Sequence, residues 1–204
     1  MSTQMMLDNI FKKSNGIART ADFNACGIST QEVAKLCKEG RLLRIKHGYY
    51  QRADDLYLPD EQILASLLPE AVICLESALF HYGYSDLTPR AWSVMVPRNI
   101  SLSKLKIDSI ALDVHYTSKD LYDIGKITTD FNGVQLAIYD RERTICDCFK
   151  FRSQLDSEVF NKALNAYAKD EQKNLANLVT YAKKLRVYKK VEEIMEVLLA
   201  HEEF

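Results

Sequence analysis

Nine cations, Lys12, Lys13, Arg19, Lys35, Lys38, Arg41, Arg44, Lys46 and Arg52, stand in the first 52 residues of this 204-residue chain. Only four acids, Asp8, Asp22, Glu32 and Glu39, oppose them, so the segment carries +5 while the whole chain carries -1. Ammonium and guanidinium groups crowded into so short a stretch suit a polyanion, and phosphate is the natural partner. A second group of cations, Lys183, Lys184, Arg186, Lys189 and Lys190, lies in the otherwise acidic remainder. It reads either as a solvated helix face or as a second set of phosphate contacts.

Bond-making chemistry has no comparable support. The seven glycines form neither Gly-x-Gly-x-x-Gly nor a phosphate loop ending in Gly-Lys-Ser/Thr, and His-Glu-x-x-His is absent. Glu76-Ser77 fits a helix start better than an activated serine, and His81 and His115 have no nucleophile nearby in sequence. The five cysteines contain no Cys-x-x-Cys pair, and in a helix Cys146 and Cys148 point to different faces. They read as reduced, packed thiols without a metal. The expectation is a non-enzyme with no cofactor and no catalytic residue. One polar group still stands out: Glu142, Arg143, Thr144 and Asp147, with Arg143 and Asp147 four apart on one helix face. An exposed pair at that spacing is worth roughly 0.2–0.5 kcal/mol.

The elements that must carry the N-terminal cations follow from periodicity. Met6, Leu7, Ile10 and Phe11 recur at helical spacing and predict a helix over 5–13, stopped by Ser14-Asn15-Gly16. Thr20 can cap a second helix over 21–26, with Phe23 facing the first and Gly27 ending it. Ser29 and Glu32 make a capping box for a third helix over 29–39, with Val33, Leu36 and Cys37 inward and Thr30, Gln31, Lys35 and Lys38 outward. Residues 42–51 read as a hairpin turning at His47-Gly48, with Leu43 and Ile45 inward and Arg44 and Lys46 outward. Two helices across a glycine turn, followed by a basic hairpin, describe a winged helix-turn-helix on duplex DNA. The candidate DNA-binding residues are Arg19, Thr20, Ser29, Thr30, Gln31, Lys35, Lys38, Arg41, Arg44, Lys46, His47 and Tyr49.

The remainder alternates between the two periods. Helices are predicted over 60–68 and 77–82, strands over 71–74, 91–96, 110–115 and 134–139, and a helix capped by Asp140. Three amphipathic helices follow, with stripes at Leu155, Val159, Phe160 and Leu164, at Leu175, Leu178, Val179 and Ala182, and at Val191, Ile194, Met195 and Leu198. The fold class is α+β: a winged helix-turn-helix at 1–55, then a larger mixed α/β domain at 56–204 with a small sheet and a helical C-terminal end. No apolar run is long enough for a membrane span and the first residues lack a secretory pattern, so the chain reads as cytoplasmic.

The string GIARTADFNACGISTQEVAKLCKEGRLLRIKHGYYQ, followed by ICLESALFHYGYSD, VMVPR and IYDRERTICDCFKF, resembles the AbiEi family of antitoxins. Its distinguishing parts are the hairpin from Gly40 to Tyr50 and the segment with Glu142, Arg143, Thr144 and Asp147. The resemblance implies a transcriptional repressor of its own toxin-antitoxin operon in abortive infection and phage defence. Its N-terminal domain would bind an inverted-repeat operator in double-stranded DNA. Its C-terminal domain would oppose a nucleotidyltransferase-like toxin, functionally and without need of a stable complex, and Arg143, Thr144 and Asp147 are the candidate antitoxin-domain site. Two alternatives stay open for that domain: an atypical transferase or kinase that inactivates the toxin, and a stoichiometric toxin-binding inhibitor.

Overall fold

The computed structural model describes residues 3–54 and 58–200. Along the chain run α1 (Thr3–Lys13), β1 (Ala18–Arg19), α2 (Thr20–Ala25), α3 (Thr30–Lys38), β2 (Leu42–Lys46), β3 (Tyr49–Arg52), α4 (Asp60–Leu67), β4 (Val72–Ile73), α5 (Leu75–His81) and β5 (Trp92–Pro97). They are followed by α6 (Leu102–Leu105), β6 (Leu112–Thr117), α7 (Lys119–Tyr122), β7 (Lys126–Phe131), β8 (Val134–Tyr139), α8 (Arg141–Lys150), α9 (Ser157–Lys169), α10 (Leu175–Leu185) and α11 (Tyr188–Ala200). The class is mixed α+β, with two small sheets and a helical C-terminal part.

Two compact units divide the chain: residues up to Pro69 with Ser101–Ile110, and Glu70–Ile100 with Ala111 onward. The expected boundary between residues 55 and 56 lies outside the described residues. The first unit is larger than a 1–55 module, because α4 and the segment bearing α6 belong to it.

The first unit is built on the helical spacing of its apolar residues. Leu7, Ile10 and Phe11 of α1, Phe23 of α2, and Val33 and Leu36 of α3 share one core with Ala18, Ile28 and Leu42. Phe23 is wholly buried and meets both Phe11 and Tyr50 edge to face, with centroids 5.8 Å away in each case. Burying a ring of this size is worth about 1.5–3 kcal/mol, and each edge-on pair adds about 0.5–1.5 kcal/mol. Gly27, at φ +81°, takes the left-handed conformation that ends α2 and turns Ile28 into the core. Strands β1, β3 and β2 form a three-stranded antiparallel sheet in that order. The three helices with their glycine turn are helix-turn-helix-like.

The hairpin departs from simple alternation. Arg44 pairs with Tyr50 and Lys46 with Tyr49, so Ile45 is an extra residue and forms a bulge. The bulge shifts the phase of the strand: Leu42 and Ile45, three apart, are buried, and Leu43 is 49% exposed. Period 2 alone places Leu43 inward, and the inserted residue is why it faces out.

The second unit holds a five-stranded mixed sheet in the order β6-β5-β4-β8-β7. β5 and β6 run parallel, β4 and β8 run parallel, and β7 and β8 form an antiparallel hairpin. The predicted strand over 134–139 agrees with β8, whereas β7 is absent from the sequence reading. Its signal is Asn132-Gly133, whose φ values of +53° and +86° suit the two-residue turn between Phe131 and Val134. Asp140 caps α8, its Oδ1 accepting from the Arg143 backbone N–H at 2.8 Å. Helices α8 to α11 pack into a core that includes Ile145, Phe149, Phe160, Leu164, Leu178 and Met195. Leu175, Val179 and Ile194, expected in the inward stripes, are about 40% exposed because the buried stripes of α10 and α11 are narrower than their apolar faces.

Candidate nucleic-acid interface

The interface begins with the cap of α3. Ser29 Oγ accepts from the Glu32 backbone N–H at 3.2 Å, and a Glu32 carboxylate oxygen accepts from the Ser29 backbone N–H at 2.8 Å. The same oxygen accepts from Ser29 Oγ at 2.9 Å. Hydrogen bonds donated by Ser29 hold the Glu32 carboxyl below the usual glutamate value. Both side chains are thereby committed to the helix start, and Thr30 and Gln31 are left exposed on its first turn. Backbone N–H groups of a first turn favour a nearby anion. Lys35 and Lys38 extend the exposed face, with Lys35 in a 3.8 Å pair with Glu39.

The hairpin supplies the second part. Arg44 is exposed, and its Nη2 donates to Nδ1 of His47 at 2.6 Å. Lys46 is half-buried, and its Nζ donates to the carbonyl of Lys104 at 2.7 Å. Segment 101–110, remote in sequence, therefore braces the hairpin within the same unit and brings the exposed Lys104 and Lys106 with it. Nothing local in the sequence marks those lysines, since only the chain's return to this unit places them.

Arg19, Thr20 and Tyr49 join the strand and helix sides. Arg19 stands opposite Tyr49 in the sheet register. Its backbone N–H donates to Asp22 Oδ2 at 2.7 Å, which makes Arg19 the residue that precedes α2. Thr20, the expected cap, is instead the first helical residue, and its N–H and Oγ1 both donate to the Gly48 carbonyl at 2.9 and 3.4 Å. Thr20 thus ties α2 to the hairpin turn. Arg41 is half-buried and donates to Gln4 Oε1 at 2.7 Å. Of the twelve predicted contact residues, Arg19, Ser29, Thr30, Gln31, Lys35, Lys38, Arg44 and His47 are exposed, and Thr20, Arg41, Lys46 and Tyr49 are half-buried.

The polar group on α8 has a different character. Glu142, Arg143, Thr144 and Asp147 are all buried, so this is an interior cluster and not the exposed helix pair expected from spacing. Arg143 Nη1 donates to the carbonyls of Leu121 and Ile124 at 2.6 and 2.8 Å, and its guanidinium lies 4.0 Å from the centre of the Tyr139 ring. Thr144 Oγ1 donates to the Tyr139 carbonyl at 3.2 Å. One Glu142 oxygen accepts from Tyr167 OH at 3.1 Å and from the Asn174 N–H at 2.7 Å. These bonds join α8 to the segment before β7, to β8, to α9 and to the start of α10. The amphipathic pattern of α8 hides this, because polar residues at a buried face look like a solvated one until their partners are known.

Other residues weighed for chemistry fall into structural roles. Ser77 Oγ accepts from the Ser93 backbone N–H at 2.9 Å in the interior, His115 pairs with Asp113 at 2.8 Å, and His81 stacks on Phe131 at 4.5 Å. Cys74, Cys146 and Cys148 are buried free thiols whose pKa is pushed up by burial. Among the described residues no group of three His, Cys, Asp or Glu side chains is placed to hold a metal. No described helix is long and apolar enough to cross a membrane. Lys183, Lys184, Arg186, Lys189 and Lys190 are all exposed, flanking the junction of α10 and α11. Arg186 ends α10 in the left-handed conformation at φ +61°.

No curated protein sequence matches the chain. The RV2827C protein from Mycobacterium tuberculosis, known from a crystal structure, has a similar fold: TM-score 0.64 at 14% identity, over 95% of this chain and 79% of that one. The family model described as "Transcriptional regulator, AbiEi antitoxin" matches residues 5–53, the stretch that holds α1, α2, α3 and the β2–β3 hairpin. Over that stretch, about a quarter of the chain, the protein is similar to the AbiEi antitoxin family of transcriptional regulators.

Proposed function

We propose that the chain is the autorepressor and antitoxin of a toxin-antitoxin system, and that its N-terminal unit is a winged helix-turn-helix on duplex DNA. In this reading α3 enters the major groove and the β2–β3 hairpin lies along the phosphates as the wing. The observation that carries it is the first turn of α3: the cap is satisfied internally, which leaves Thr30 and Gln31 free to meet base edges. The +5 charge of the first 52 residues and the family match support the same reading. Lys104 and Lys106 extend the cationic surface beside the wing, and the five exposed cations at the α10–α11 junction supply a second backbone contact.

The operator is an inverted repeat in the chain's own promoter, and the protein works in the cytoplasm as part of phage defence. The second unit opposes a nucleotidyltransferase-like toxin without chemistry of its own. Arg143, Thr144 and Asp147 act there as an interior support, since their burial removes them from any surface a partner could touch. Footprinting of the promoter upstream of the gene tests the DNA reading: a protected inverted repeat is expected, and equal affinity for unrelated duplexes overturns it. Co-elution of antitoxin and toxin at micromolar concentration would replace the indirect mode by stoichiometric inhibition.

A further inference from the structure

We infer that the first unit carries a binding site for a small organic anion with an apolar body, in a cleft between the end of α1, α2 and β3, and that occupancy competes with DNA. The cleft has a volume of about 540 Å³, and Ser66 of α4 completes its wall. Pockets for small ligands run from about 300 to 1,000 Å³ and pair an apolar lining with a few polar groups. Buried Ile10 and Ile17 lie under this cleft, Ala25, Cys26 and the Tyr49 ring give it its accessible apolar surface, and Lys13 and Arg19 give it two cations.

The charge balance favours an anion. Asp22 is the one acid among the described residues of the lining, and its carboxylate is already engaged by the Arg19 backbone N–H at 2.7 Å and by the Arg19 guanidinium at 3.5 Å. Lys13, exposed in the last turn of α1, lines the cleft with no other acid for it among the described residues of the lining. The Arg19 side chain is 62% exposed and its contacts with Asp22 are long, so it can turn to a carboxylate or sulfonate in the cleft without breaking a strong bond. A small apolar body, aromatic or short-chain, would cover Ala25, Cys26 and the Tyr49 ring.

The link to DNA rests on the reading proposed above. Arg19 and Tyr49 face each other across the sheet, line the cleft, and belong to the surface assigned to phosphate. An anion that takes the Arg19 guanidinium removes it from the DNA backbone, and the two ligands must then weaken each other equally.

The test uses the full chain and 8-anilinonaphthalene-1-sulfonate, a probe with an aromatic body and one sulfonate. A saturable fluorescence rise at one site is expected, weakened about fivefold or more by Lys13→Ala and by Ala25→Phe, which fills the cleft. Neither residue belongs to the proposed DNA surface. An absent rise, or one indifferent to both variants, overturns the site. With the duplex bound at saturation the probe affinity should fall; an unchanged affinity overturns the competition. If no duplex binds at all, the DNA-binding reading fails and the competition with it, and the titration without DNA still decides the site.

Discussion

Arg143 Nε donates to both carboxylate oxygens of Asp147, each at 3.1 Å, and neither side chain is exposed to solvent. Taking two charges out of water is costly, and the pair repays that only with further hydrogen bonds; the Leu121 and Ile124 carbonyls supply two to Nη1, while Nη2 has no hydrogen-bond partner among the described residues. Burial pushes the Asp147 carboxyl up while the guanidinium pulls it back. Asp147→Leu should therefore destabilise the second unit by about 3–5 kcal/mol, because it leaves an uncompensated buried cation. Urea unfolding of Arg143→Met/Asp147→Leu should recover part of that loss. A double variant no more stable than Asp147→Leu would show that the charge pairing is not what holds α8 in place.

Replacing Gln31 by alanine should relax sequence preference by about 1–3 kcal/mol at one base pair. Selection of bound duplexes from a random pool reads this directly. Loss of affinity spread evenly over all sequences would move Gln31 from the bases to the backbone.

Arg44→Ala should lower the magnitude of the slope of log K against log salt by about 0.9, as expected for one phosphate contact. Among the described residues its guanidinium bonds His47, itself exposed, so its removal leaves no buried group there unpaired. Anisotropy titrations between low and moderate salt measure the slope, and an unchanged value removes the wing from the interface.

Lys184→Glu/Lys189→Glu tests the second contact. The slope should fall by about 1.8 or more without a change in the preferred sequence, because backbone contacts carry no base information. Wild-type salt dependence would leave these lysines as a solvated face.

The α3 cap should be sensitive to acid. The Glu32 carboxyl is held below its ordinary value of 4.5 in the folded chain, so its contribution is fully present above that pH. The contribution is lost as pH falls through the lower folded value, where protonation removes the acceptor charge. Urea midpoints of the full chain should show a loss below about pH 4.5 that Glu32→Gln lacks.

Features set by neighbours in the chain are legible in the amino-acid sequence by itself. The Ser29–Glu32 box, the glycine turn at Gly27, the His47-Gly48 turn and the Asp140 cap all depend on contacts within about four residues, and strand Val134–Tyr139 is legible from its run of apolar residues. The charge that points to phosphate belongs to the same class, since solvated cations need no partner to be counted. Tertiary structure decided what depends on distant partners. The bulge at Ile45 reversed the face of Leu43 because β3 sets the register. The Lys104 carbonyl reached Lys46 because segment 101–110 returns to the first unit. The polar run from Glu142 to Asp147 went inside because Leu121, Ile124, Tyr139, Tyr167 and Asn174 meet most of its hydrogen-bonding groups there. A buried charge is stable only where its partners stand, and no spacing rule along one helix records partners that lie on other elements.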